Sequence, residues 1–158
     1  MHTTLITILF FFISLLGNAQ NFNHFKIEQS EIDTSHIILT PLSNKEPGPT
    51  EKVGEFYLTG KDEECVSKFI NLSKQFFPNQ NIPEKIKKYS FIDVYFDKEK
   101  RITGFKFYIN RKLLEYIAEE QWLEFIEQAK KIDLDPYIDI PHKDSFDFNA
   151  IGINFLRY

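Results

Sequence analysis

The chain has 158 residues, with 19 Lys plus Arg against 23 Asp plus Glu, a formal charge of −4, 42% apolar residues and 27% charged ones. These proportions fit one globular domain and exclude a multi-span membrane protein, a collagen-like chain and a disordered polyampholyte. A single cysteine excludes a disulfide framework and a multi-thiolate metal site, while 17 Phe supply ample core.

The first element is a targeting segment. Leu5 to Leu16 (LITILFFFISLL) is an apolar run interrupted only by Thr7 and Ser14, followed by Gly17-Asn18-Ala19. The run is shorter than the ~20 apolar residues that span a bilayer, and Gly17 and Ala19 form a small-x-small cleavage pattern. Residues 1–19 therefore read as a signal peptide, which predicts an exported protein. The alternative is a retained inner-membrane anchor.

Residues 20–50 read as an N-terminal segment and linker. Ile37-Ile38-Leu39 suits one short strand, and Pro47-Gly48-Pro49 punctuates the stretch before a domain expected over 51–158. A first helix is predicted from Lys61 to Phe77, with Cys65, Phe69, Ile70 and Phe76 on one face. Thr59 is placed as its cap, and Asp62, Glu63 and Glu64 lie in a first turn that suits the helix dipole. Cys65 reads as a small apolar residue on the buried face. Asn71-Leu72-Ser73 matches a glycosylation sequon inside this helix and is read as chance.

A hairpin follows. Ile92, Val94 and Phe96 alternate with polar or aromatic residues, and so do Thr103, Phe105, Phe107 and Ile109. A turn over 98–101 pairs Phe96 with Thr103, Val94 with Phe105 and Ile92 with Phe107 on one face. It pairs Phe91 with Tyr108 and Tyr95 with Gly104 on the other. A second helix is predicted from Leu113 or Leu114 to Lys131. A last strand runs from Phe146 to Leu156, with a parity change near Asn149-Ala150 that suggests a bulge or two short strands. The expected fold is α+β: a small antiparallel sheet of about three strands with two helices, in the order α-β-β-α-β.

The sequence contains no GxSxG elbow, GxGxxG, P-loop or HExxH spacing, and the reading assigns no catalytic residue, metal ligand or cofactor. The acid-rich stretch Asp135 to Asp147 with His142 is the one place where a small metal-dependent hydrolase could be built, but it does not match an EF-hand. Acidic residues outnumber basic ones, so nucleic acid is not an expected partner.

Several motifs resemble the C-terminal domain of TonB, the energy transducer of Gram-negative envelopes, in the versions found in Bacteroidetes. Glu55-Phe56, Gly60, Lys68-Phe69-Ile70 and Phe77-Pro78 are similar to that family's opening. Val94 to Gly104 is similar to its hairpin, Glu119-Glu120 with Leu123 to Ile126 to its second helix, and Ile151-Gly-Ile-Asn-Phe155 to its closing strand. Lys100 replaces the usual hairpin glycine, and the Trp expected after the second helix is missing from Ile132 to Pro136.

The resemblance implies an interaction module, not an enzyme, that captures an extended protein or peptide by strand addition. Segments of outer-membrane transporters would be its partners, and a homodimer is the other partnership the reading allows. The candidate partner-binding residues are Asn149, Ile151, Ile153 and Phe155 on the last strand and the aromatic face Phe91, Tyr95 and Tyr108. A short membrane-anchored transducer is the alternative, although only about 30 residues separate the apolar run from the domain, ~100 Å if fully extended.

Overall fold

The computed structural model describes residues 22–45, 51–77 and 81–157. The predicted signal segment, Pro47-Gly48-Pro49 of the expected linker and Pro78 lie outside these residues. The elements are β1 (Phe25–Gln29), β2 (His36–Pro41), β3 (Tyr57–Leu58), α1 (Asp62–Phe76), α2 (Glu84–Lys87), β4 (Phe91–Asp97), β5 (Ile102–Asn110), α3 (Glu119–Ala129), β6 (Ile138–Asp139) and β7 (Phe148–Ile153), with 3-10 turns at Arg111–Glu115 and Lys143–Ser145. Among the described residues no helix is long and apolar enough to cross a membrane.

The fold differs from the expected three-stranded sheet with order α-β-β-α-β. Five antiparallel strands form one sheet in the order β1-β2-β5-β4-β7, and β3 pairs with β6 in a small second sheet. The two extra strands of the main sheet come from residues 25–41, the stretch read as an N-terminal segment with one short strand. Their apolar alternation is weak for a physical reason. β1 is an edge strand that buries Phe25 but leaves Ile27 41% exposed, so only part of one face carries the pattern. β2 reads as a continuous apolar run because Ile37 and Leu39 face the core while Ile38, on the other face, is half-buried.

The predicted hairpin register holds at Ile92↔Phe107, Val94↔Phe105, Phe91↔Tyr108 and Tyr95↔Gly104. It slips by one residue at Phe96, which opposes Ile102 and not Thr103, through an irregularity between Tyr95 and Phe96. Lys100, standing in the turn with a left-handed φ of 61°, takes the conformation that glycine adopts most easily. β7 pairs with β4 without a break from Phe148 to Ile153, so the expected bulge is absent. The parity change has another origin: Phe146 is buried before the strand begins, whereas Phe148 stands on the outer face beside Tyr95.

α1 and α3 cover one face of the sheet and pack on each other. Phe77, Phe107, Trp122, Phe125 and Phe155 form the centre of the core, with ring centroids 4.6–6.1 Å apart. Cys65 and Ser73 are buried on α1, where the Ser73 hydroxyl donates to Phe155 O at 2.6 Å.

The second helix begins later than predicted. Residues 111–115 form a 3-10 turn capped by Asn110, whose Oδ1 accepts from Lys112 N at 3.0 Å. Ala118 is extended before α3 starts. Gln121 fixes that start: its Oε1 accepts from Ala118 N at 2.9 Å, half of a capping box, and its Nε2 donates to Phe76 O at 2.7 Å, tying α3 to the end of α1. Thr59 does not cap α1. Its hydroxyl donates to Pro136 O at 2.8 Å and its amide to Tyr137 O, so it fastens β3 to the turn before β6.

Candidate functional site: the uncovered sheet face and the β7 edge

The sheet has a second face, and among the described residues no helix covers it. Alternation along the strands sends Lys26 and Glu28 of β1, Ile38 of β2, Lys106 and Tyr108 of β5, Phe91, Asp93 and Tyr95 of β4, and Ala150 and Gly152 of β7 to this side. At one end, the turn between β1 and β2 rises against the face and encloses a groove of about 500 Å³. The groove crosses the strands from Ile32, Asp33 and His36 past Tyr108, Phe91 and Asp93 to Gly152, with Tyr89 on its rim.

Local chemistry shapes each wall. Asp33 accepts from the amide and hydroxyl of Ser35, both at 2.8 Å, and its other oxygen lies 2.8 Å from His36 Nδ1. The Ser35 amide, more than any other contact, holds the Asp33 carboxyl below the usual carboxylate range. His36 Nε2 is buried without a protein partner. Ser35 Oγ lies 3.0 Å from Nδ1, the same nitrogen that Asp33 binds, so the Asp–His–Ser relay of a hydrolase is not formed. Burial pushes the Asp93 carboxyl up, opposed by the Tyr108 hydroxyl and the Lys106 ammonium. Burial, then Asp93, pushes the Tyr108 phenol up as well. Tyr89 has a left-handed φ of 65° and is 56% exposed, with Lys88 Nζ 4.9 Å above its ring.

The groove opens onto the sheet edge at Gly152. In an antiparallel pair alternate residues turn both backbone groups to the partner and the others turn theirs away. Phe148 points outward, since its amide donates to Lys52 O and its carbonyl accepts from Gly54 N. Ala150 and Gly152 therefore point outward too. The Ala150 amide is taken by Asn149 Oδ1 at 2.6 Å, which leaves Ala150 O and both backbone groups of Gly152 without a partner among the described residues, along the free part of the edge. The segment at Lys52–Gly54 covers the other part. Gly54 is required there, because a Cβ would lie 2.1–2.6 Å from the buried Phe146 side chain.

No family model, curated protein or solved structure matches the chain.

The residues predicted from sequence separate into two groups. Ile153 and Phe155 are core residues, 1% and 0% exposed. Ile151 is half-buried against the core, and Asn149 donates to Gly54 O at 2.6 Å. On this strand the backbone is what faces outward. Phe91 and Tyr108, opposite each other in the register, line the groove together. Tyr95 lies farther along the same face, 5.7 Å from Lys106 Nζ and outside the groove lining.

Sequence reasoning missed Ile32, Asp33, His36, Asp93 and Gly152. Asp33-Thr-Ser35 carried a readable signal, an Asx turn with the carboxylate two residues before an amide. The position of Gly152 over the groove required the sheet order. In the acid-rich stretch, Asp135 is engaged by Lys100 Nζ at 2.7 Å and Asp147 by Lys52 N at 2.8 Å. Among the described residues no three metal-ligating side chains converge.

Proposed function

We propose that the protein is an interaction module that adds an extended protein or peptide segment to the free part of β7 and seats one of its side chains in the aromatic groove. The observation that carries this reading is the position of Gly152. The same residue presents its amide and carbonyl outward and forms the open end of a groove walled by Phe91 and Tyr108. Backbone pairing at such an edge supplies affinity and an adjoining pocket supplies choice. Aromatic walls with two carboxylates, Asp33 and Asp93, favour an apolar or amphipathic side chain over a strongly acidic one. The export expected from residues 1–19 places the partner among proteins or peptides of the periplasm and outer membrane.

Gly152 permits a clean test. Its φ is not in the left-handed range, and a Cβ would meet Asp93 Oδ1 at 3.5 Å, an ordinary contact. Gly152→Val should therefore fold and fill the mouth of the groove. Peptides selected from a displayed random library on the native protein should lose binding to Gly152→Val, and also to Tyr95→Ala combined with Tyr108→Ala. Peptides that bind all three proteins equally would remove this face and edge from consideration.

A further inference from the structure

The edge opposite β7 has a pattern that the peptide-binding reading does not use. Leu42 N donates to His24 O and Ser30 N to His36 O. The even-numbered residues of β1 therefore turn their backbone groups to β2, and Phe25, Ile27 and Gln29 turn theirs away. Among the described residues no backbone group donates to or accepts from these outward positions. Ile27, at the centre, is 41% exposed. Lys26 and Glu28 flank it on the uncovered face, about half exposed and 3.1 Å from each other.

We infer that β1 pairs with β1 of a second copy of this chain, antiparallel about a two-fold axis at Ile27, to give one continuous sheet across the dimer. This register is favoured by three independent features of the strand. Ile27 meets its own equivalent as a hydrogen-bonding pair, and Phe25 meets Gln29 likewise, so every outward backbone group of the strand finds a partner. The exposed Ile27 side chains are buried against each other. On the other face, Lys26 of each copy stands opposite Glu28 of its partner in the closer, non-hydrogen-bonded type of pair, where opposite charges attract. An edge protected against pairing carries charges that repel a second copy. Here the alternation of sign makes the edge complementary to itself. β7 lies at the far side of the sheet, so the dimer leaves the groove and its edge open.

The test is a charge exchange across the axis, read by sedimentation velocity over a concentration series of the purified protein. The native protein should dimerise with increasing concentration. Lys26→Glu should be monomeric, since glutamates then face each other, and Glu28→Lys should be monomeric for the reciprocal reason. An equimolar mixture of the two variants should restore the dimer, because each glutamate then meets a lysine. Ile27→Pro deletes an outward amide and no bond to β2, and should abolish association with the far-UV spectrum unchanged. A native protein that stays monomeric throughout would overturn the inference, as would a dimer that survives both single exchanges and Ile27→Pro.

Discussion

The side-chain amide of Asn44 takes the place of a strand residue against Phe105, donating to Phe105 O at 2.6 Å and accepting from Phe105 N at 3.2 Å. The β2–β5 pairing ends at Leu39↔Phe107. Two residues on, Pro41 would face Phe105, and proline has no amide to donate. The chain turns after Pro41 and Asn44 returns to complete the ladder. Gly104 makes room for it, since a Cβ there would lie 3.0–3.3 Å from the Asn44 amide group.

Removing that amide leaves two backbone groups of a central strand without their partner. Asn44→Ala should cost about 1–3 kcal/mol, the range for unpaired buried polar groups. Asn44→Asp should not rescue it, because a carboxylate accepts from Phe105 N but repels Phe105 O. Urea unfolding with an unchanged slope and a lowered midpoint is the expected result for both. A midpoint equal to that of the native protein would show that water replaces the bond at no cost.

The hairpin was legible in the sequence because period-two alternation on both β4 and β5 fixes a register by itself. α1 was legible for a similar reason: Cys65 and Phe69 recur at helical spacing and three acids open the helix. The pairing of β2 with β5 was not. It joins residues about 70 apart in sequence, and neither Ile38 nor Tyr108 carries a sign of the other. β3 and β6, two residues each, are too short to show any period. At the candidate site, the aromatic residues Phe91 and Tyr108 could be read as facing the same way from alternation alone. His36 and Gly152 reach the same groove only through the strand order, which local pattern does not encode.

Gly54 holds the segment over the first half of the β7 edge. Gly54→Ala must displace Phe146, which stacks on Phe96 with centroids 5.7 Å apart. Overpacking of this kind costs typically 1–3 kcal/mol. The bonds that Gly54 makes with Phe148 O and Asn149 should loosen with it, and so should the neighbouring bond from Phe148 N to Lys52 O, so the amides of Gly54 and Phe148 should exchange hydrogen faster than in the native protein. Unchanged exchange and stability would mean that the backbone shifts without strain.

Cys65 is 2% exposed, and burial pushes its thiol up to about 11. At pH 8 about one thiol in a thousand is then ionised, and the thiolate is the reactive form. A disulfide reagent should label the native protein far more slowly than the protein in denaturant, and oxidation should give no covalent dimer. Rapid stoichiometric labelling of the native form would contradict the burial of α1 against the core.

Asp93 gives a pH dependence whose sign follows from its surroundings. Burial raises the carboxyl above its ordinary value of 3.8, more than the Tyr108 hydroxyl and the Lys106 ammonium lower it. The folded state thus holds the proton more tightly than the unfolded state. This group's contribution is most favourable below the ordinary value, falls as pH rises through the window up to the raised one, and is a constant penalty above it. Asn is uncharged and can still accept from the Tyr108 hydroxyl. Asp93→Asn should therefore raise the melting temperature at pH 7, and the difference from the native protein should shrink as pH falls from the raised value toward 3.8 and vanish below it. A variant less stable than the native protein at pH 7 would show that Lys106 and Tyr108 together outweigh burial, and that the groove is built around a carboxylate held in its charged form.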